Sequence, residues 1–208
     1  QKIKIGQAVL TKGRGNLTAR GDYSFKNDIF LHLVAADMPL DILKIVWPSK
    51  EFKGLFNVNA GLDGPLEDPR ITIAAAGSGI ELAGTRFDKV TFSFTKRKDM
   101  LYLHELSLLE GSILSSAYGS IDLARPGKLE LEANLKGNSV GLLNLLTDDV
   151  AWLGGYSSIS AKLQGTLEDP KINGTLNLSD SAIRIKALNS KIQKVILEVS
   201  QLPGNVTV

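Results

Sequence analysis

Apolar and polar residues alternate along most of this chain with a period of two. The clearest runs are Leu129-Glu-Leu-Glu-Ala-Asn-Leu-Lys136, Ile159-Ser-Ala-Lys-Leu-Gln164, Ile183-Arg-Ile-Lys-Ala187 and Val195-Ile-Leu-Glu-Val-Ser200. Successive side chains of a strand point to opposite faces, so such runs predict strands with one dry face and one wet face. Residues 17–25, 29–35, 56–62 and 90–94 alternate likewise. Turn chemistry separates the runs at Lys26-Asn27-Asp28, Gly77-Ser78-Gly79, Arg125-Pro126-Gly127 and Leu202-Pro203-Gly204. About a dozen or more short strands are expected, which makes the chain essentially all-β.

The alternation assigns the dry face residue by residue. In the first half it takes Leu17, Tyr23, Phe25, Ile29, Leu31, Leu33, Phe56, Val58, Leu62, Ile80, Leu82, Val90, Phe92, Phe94, Leu101 and Leu103. In the second half it takes Ile121, Leu123, Leu129, Leu131, Ala133, Leu135, Ile159, Ala161, Leu163, Ile183, Ile185, Ala187, Val195, Leu197 and Val199. Two architectures accommodate such a face. One is a long curled antiparallel or mixed sheet around an apolar inner groove; the other is a closed β-sandwich with a dry core. On alternation alone the closed sandwich is the default.

Two segments break the pattern. Asp37-Met-Pro-Leu-Asp-Ile-Leu-Lys-Ile-Val-Trp-Pro48 begins with an N-cap residue type, carries Pro in its first turn and stops at Pro48. Asn138-Ser-Val-Gly-Leu-Leu-Asn-Leu-Leu-Thr-Asp148 is equally apolar. Each predicts a short helix of two to three turns lying over an apolar surface, as a lid on a core or a gate at a groove.

A long internal repeat organises these elements. Gly64-Pro-Leu-Glu-Asp-Pro-Arg-Ile71 returns as Gly165-Thr-Leu-Glu-Asp-Pro-Lys-Ile172, a shift of 101 residues from position 64 to position 165. Around it Tyr23 and Phe25 match Ile121 and Leu123, residues 40–46 match 140–146, and Val90, Phe92 and Phe94 match Val195, Leu197 and Val199. Ile3, Ile5, Leu10 and Gly13 match Leu101, Leu103, Leu108 and Gly111, so the shift ranges only from 98 to 105. Residues 1–15 then read as the tail of a preceding copy, 16–114 as one copy and 115–208 as the next, in a window of a longer array. No linker interrupts residues 101–123, so one continuous sheet is expected.

Asp before Pro in the repeated motif favours an extended or turn conformation, and Pro suits a strand start. Calcium at Glu67 and Asp68, or at Glu168 and Asp169, lacks the cluster of six or more oxygens the ion takes.

Composition narrows the function more than the fold. The 208 residues are 43% hydrophobic and 22% charged, which suits a folded core and excludes disorder. A net charge of +2 gives no field for nucleic acid, and Lys96-Arg-Lys-Asp99 reads as a solvated hairpin turn. With no Cys, disulfides and thiolate metal sites are excluded. No run approaches the ~18 apolar residues of a membrane-spanning helix. His32 and His104 alternate with apolar neighbours and should face solvent, without a nucleophile or metal-ligand set beside them. Gly13-Arg-Gly-Asn is too short for a phosphate loop, and Asp148-Asp149 read as turn acids. No catalytic, metal or cofactor site is expected, and the chain does not read as an enzyme.

The order of apolar helix, Gly, alternating strand, G-[PT]-L-E-D-P-[RK]-I and further alternating strands resembles the TamB family and its AsmA-like relatives, over nearly the whole chain. The resemblance implies a long curled sheet, a β-taco, whose apolar groove carries phospholipid between inner and outer membranes. It also implies a periplasmic location within an inner-membrane-anchored protein and a link to outer-membrane protein assembly. The partners implied are phospholipid acyl chains and, through a region outside this chain, a TamA-like outer-membrane barrel. No catalytic residues come with the resemblance.

Overall fold

The strands form a single antiparallel meander. The computed structural model describes residues 2–45, 52–82, 85–138, 150–166, 169–185, 190–195 and 198–200. Its thirteen strands are β1 (Lys2–Lys12), β2 (Gly15–Ser24), β3 (Asp28–Pro39), β4 (Phe52–Pro65), β5 (Arg70–Leu82), β6 (Thr85–Arg97), β7 (Met100–Glu110), β8 (Ile113–Asp122), β9 (Leu129–Lys136), β10 (Val150–Gly165), β11 (Pro170–Ile185), β12 (Ser190–Val195) and β13 (Glu198–Ser200). β1 to β12 pair in sequence order, and β13 also pairs with β11. The sheet is open: among the described residues β1 pairs only with β2 and β12 only with β11. It is therefore the curled sheet and not the closed sandwich, and all its described pairings are antiparallel.

Residues matched by the repeat fall mostly on strands six places apart, as β1 and β7 or β5 and β11 do. The Glu-Asp-Pro motif makes the β4–β5 turn in one copy and lies at the β10–β11 turn in the other. Its Gly opens both: φ is 107° at Gly64 and 100° at Gly165, a region that disfavours side chains. A Cβ at Gly165 would also meet the Asp169 carbonyl oxygen at 2.5 Å. At the first turn the Asp68 carboxylate pairs with Lys96 Nζ at 3.0 Å.

Bulges set the curl. Between β3 and β4, Ala36 and Asp37 together face Asn57, and the Asp37 N–H donates to Asn57 Oδ1 at 3.0 Å. Between β4 and β5, Gly79 and Ile80 face Gly54; between β7 and β8, His104 and Glu105 face Tyr118. Each inserts an extra residue on one strand, bending it and raising the local twist.

The first expected helix starts three residues late. Asp37, Met38 and Pro39 stay in β3, Met38 opposite Phe56 and Pro39 opposite Leu55, so Asp37 is a bulge residue and not an N-cap. The helix itself is 3₁₀, Leu40–Ile45. The second expected helix lies outside the described residues beyond Asn138.

The first residue of that 3₁₀ helix joins a buried apolar cluster. Leu40, Phe52 and Ile80 form a buried cluster with Phe56 and Val90 packed against it. Ile80 reaches it because the Gly79 bulge turns it over, and because Gly54 and Gly77 leave it room. A Cβ on either would come within 2.8 Å of Ile80 Cδ1.

Candidate functional site: an apolar strip across the sheet

Cross-strand register aligns the dry-face residues into rows running perpendicular to the strands. One row passes through Leu10, Leu17, Ala35, Val58, Ala75, Phe92, Leu106, Ala117, Ala133 and Ala161, from β1 to β10 without a polar residue. A parallel row passes through Ala19, Leu33, Ala60, Ile73, Phe94, Leu103, Gly119, Leu131 and Leu163. A third holds Leu31, Leu62, Ile71, Lys96, Leu101, Ile121 and Leu129.

The opposite face is polar. Asn57, Ala76, Thr91, Ser107, Ser116, Asn134, Ser160 and Thr175 form one of its rows.

Burial separates a strip from a core. Leu17, Leu31, Leu33, Val58, Leu62, Phe92, Phe94, Leu101, Leu103, Ile121, Leu131, Ala133, Leu135, Ile159, Ala161 and Leu163 are half-buried, as are Tyr23, Ile29, Phe56 and Val90; among the expected residues whose side chains are described, only Ile80 and Leu129 are buried. A sandwich would have covered these side chains with a second sheet about 10 Å away. Here neighbouring strands half-bury them, and among the described residues no second sheet covers the strip.

Two expected lining residues stand outside it. Phe25 and Leu123 follow the ends of β2 and β8, past the last ladder pair, and are 58% and 47% exposed. Phe25 instead packs edge-on against Tyr23, ring centroids 5.9 Å apart. Leu82, Ile183, Ile185, Val195 and Val199 hold strand positions. Ala187 and Leu197 lie outside the described residues.

The strip has members that alternation did not assign. Leu106 and Leu108 fall out of phase with Leu101 and Leu103 because the bulge at His104 and Glu105 resets the count. Ile71, Ile73 and Ala75 precede Ala76, where Ala on both faces removes the polar contrast. Lys96 belongs to the strip as well: it sits in β6 between Ile71 and Leu101, and its ammonium leaves the strip to meet Asp68 at the rim. The hairpin turn proper is Lys98-Asp99, with Lys98 at φ 52°.

The polar face has its own organisation. Tyr118, Glu132 and Lys162 are cross-strand neighbours on β8, β9 and β10. The Tyr118 hydroxyl donates to Glu132 Oε2, and Lys162 Nζ lies 3.2 Å from Glu132 Oε1. The Tyr118 hydrogen bond, then Lys162, holds the Glu132 carboxyl below its ordinary range, while the same bond to Glu132 raises the Tyr118 phenol. His32 Nε2 contacts Asn59 Oδ1 at 2.8 Å and His104 Nε2 contacts Thr95 Oγ1 at 2.9 Å, both from this face. A shallow 570 Å³ depression also lies here, where Ala74 and Ala76 leave space between Asn57, Asn59, Thr91 and Ser93. It is a local dimple, whereas the strip is continuous.

Among the described residues no three His, Asp or Glu side chains gather as a metal would require, and no helix is long and apolar enough to cross a membrane. A scan of protein-family models, a search of curated proteins and a search of solved structures each return no significant match to this chain.

Proposed function

We propose that the apolar strip is a conduit for phospholipid acyl chains, within an inner-membrane-anchored protein that crosses the periplasm to an outer-membrane barrel of the TamA kind. The observation that carries this reading is the unbroken apolar row from Leu10 to Ala161, most of whose members are half-buried and not sealed. Moving a lipid through water exposes its chains at about 0.8 kcal/mol per CH₂, on the order of 25 kcal/mol for two chains. A strip of Leu, Ile, Val, Ala and Phe side chains removes most of that cost without selecting one chain over another. Strands spaced roughly 4.8 Å apart carry the strip on the order of 45 Å from β1 to β10. The TamB-like order of helix, glycine and Glu-Asp-Pro hairpin supports the envelope setting and the link to outer-membrane assembly.

The test places a photo-crosslinking side chain at Leu131 or Leu163 on the strip and at Asn134 on the polar face. The purified protein is then analysed by native mass spectrometry and lipid extraction. Phospholipid captured from the strip positions and not from Asn134 is the expected result. Equal capture from both faces, or none from either, overturns the conduit and leaves a structural sheet.

A further inference from the structure

The strip is not uniform along its strands. At one end, where β3 runs into the 3₁₀ helix, a further cross-strand row passes through Met38, Phe56, Gly77, Val90, Leu108 and Ser115. Met38, Leu108 and Ser115 are 2%, 1% and 1% exposed, and Phe56 and Val90 pack against the Leu40, Phe52 and Ile80 cluster. This side is filled. At the other end, beside the β4–β5 and β6–β7 turns, Leu62, Ile71, Lys96, Leu101 and Ile121 are only half-buried. The strip is thus a trough with one packed side and one open lip. Both sides lie on β3 to β8, inside the sheet, where each strand has a neighbour on either hand.

Lys96 is the one charged member of the three apolar rows, and it stands on the lip. It sits between Ile71 and Leu101, where a lysine covers apolar neighbours with its stem and keeps its ammonium in water. The ammonium meets Asp68 at 3.0 Å, with the two side chains 28% and 45% exposed. An ion pair this exposed is weak, so a phosphate can displace the carboxylate. Inward from Lys96 along β6, the strip-facing residues are Phe94, Phe92 and Val90. From Lys96 to Val90 the strand covers roughly 20 Å. The chains of one bilayer leaflet fill half of a hydrocarbon core about 30 Å thick, or ~15 Å. An acyl chain laid along β6 therefore fits between the lip and the packed row.

We propose that phospholipid lies across the conduit and not along it: acyl chains follow the strands toward the Val90–Leu108 row, and the phosphate stays at the lip on Lys96. The inference rests on the conduit reading and adds to it an orientation and a phosphate contact. Transport then proceeds sideways, from strand to strand, with each lipid presenting its phosphate to the same side of the trough. Lys96 exchanges Asp68 for the phosphate as a lipid passes, one charge-assisted contact for another. An uncharged diacylglycerol has the same chains and gains nothing from Lys96. The lip therefore favours lipids that carry a phosphate over those that do not.

Two diazirine-bearing phosphatidylglycerols, one labelled at the acyl terminus and one beside the glycerol, are supplied to the whole chain in an uncharged detergent. After irradiation the labelled residues are mapped by peptide mass spectrometry. The terminal label should mark Val90 and Leu108, and the glycerol-proximal label Lys96 and Leu101. The reverse order, or both labels spread evenly along the strands, overturns the orientation and leaves the conduit standing. A terminally labelled diacylglycerol supplies the second arm. Lys96→Met should lower the ratio of phosphatidylglycerol to diacylglycerol capture severalfold. Arg97→Met, which removes an exposed cation one residue away on the polar face, should leave that ratio unchanged. Asp68→Asn, outside the strip, should raise the ratio, so the contact is tested even where Lys96→Met misfolds. An unchanged ratio in Lys96→Met or Asp68→Asn, or an equal fall in Arg97→Met, overturns the phosphate contact. No capture of either lipid by the unmodified chain overturns the conduit itself, and this inference with it.

Discussion

At the scale of single residues, the polar face shows how an exposed sheet surface is tuned by neighbours. Glu132 lies between Tyr118 and Lys162, each one strand away, and both favour its ionised form. A carboxyl lowered in the folded state contributes stability above its unfolded pKa and loses it as pH falls through the lowered folded value. The Tyr118 phenol is raised, so its contribution is present below the unfolded value and is lost as pH rises through the folded one. In a carboxyl ¹³C NMR titration, the Glu132 midpoint should sit below that of an ordinary Glu. Tyr118→Phe should move it upward further than Lys162→Met does, since the phenol is the larger influence. An unchanged midpoint in Tyr118→Phe would show that the hydroxyl does not reach the carboxylate in solution. The effect on global stability should be small because the groups lie on the solvent-facing side of the sheet.

At the scale of elements, the structure divides into stretches where alternation runs true and points where it is reset. Residues 29–35 and 129–135 keep strict phase, and every dry-face residue expected there lies on the strip. The one-faced strip and the all-β class were legible because Leu, Ile and Val alternate with Lys, Glu, Ser and Asn; the open sheet was not, since the same alternation suits a closed sandwich. Bulges were not legible, since one extra residue leaves composition unchanged while exchanging the faces, as at His104 and Glu105. The start of the 3₁₀ helix was misplaced for a related reason. Asp37-Met-Pro resembles a helix start, but the Asn57 side chain and the β3–β4 ladder hold it extended. The bulge at Gly79 has a measurable consequence, because it delivers Ile80 to the cluster that helix joins. Ile80→Ala should cost about 2–5 kcal/mol in urea denaturation, the range for deleting a buried aliphatic side chain. Leu33→Ala, on the half-buried strip, should cost clearly less. Equal losses would mean that the strip is as tightly packed as the cluster.

At the scale of the whole molecule, a curled sheet with one open apolar face obtains its stability from neighbouring strands and its proposed function from continuity. Interruption and unfolding are therefore separable. Leu131 sits in the row between Gly119 and Leu163, half-buried and open to the groove. Replacing it with Arg places a charge in the strip, where an unpaired cation is strongly disfavoured unless the long side chain bends out toward water. The openness that would admit lipid also permits that escape, so Leu131→Arg should remain folded while interrupting the strip. Glu132→Lys is a poor control, because it sets a cation beside Lys162 and removes the acceptor of Tyr118. Asn134→Lys is the better one: exposed, on the polar face, between Ser116 and Ser160. In a parent protein containing this segment, Leu131→Arg should lower lipid transfer between membranes severalfold, and Asn134→Lys should leave it near the unmodified level, with both variants matched for thermal stability. A folded Leu131→Arg protein with unimpaired transfer would mean that lipid does not travel along this strip. If the variant unfolded instead, Leu131 would belong to a sealed core, contrary to its half-buried position.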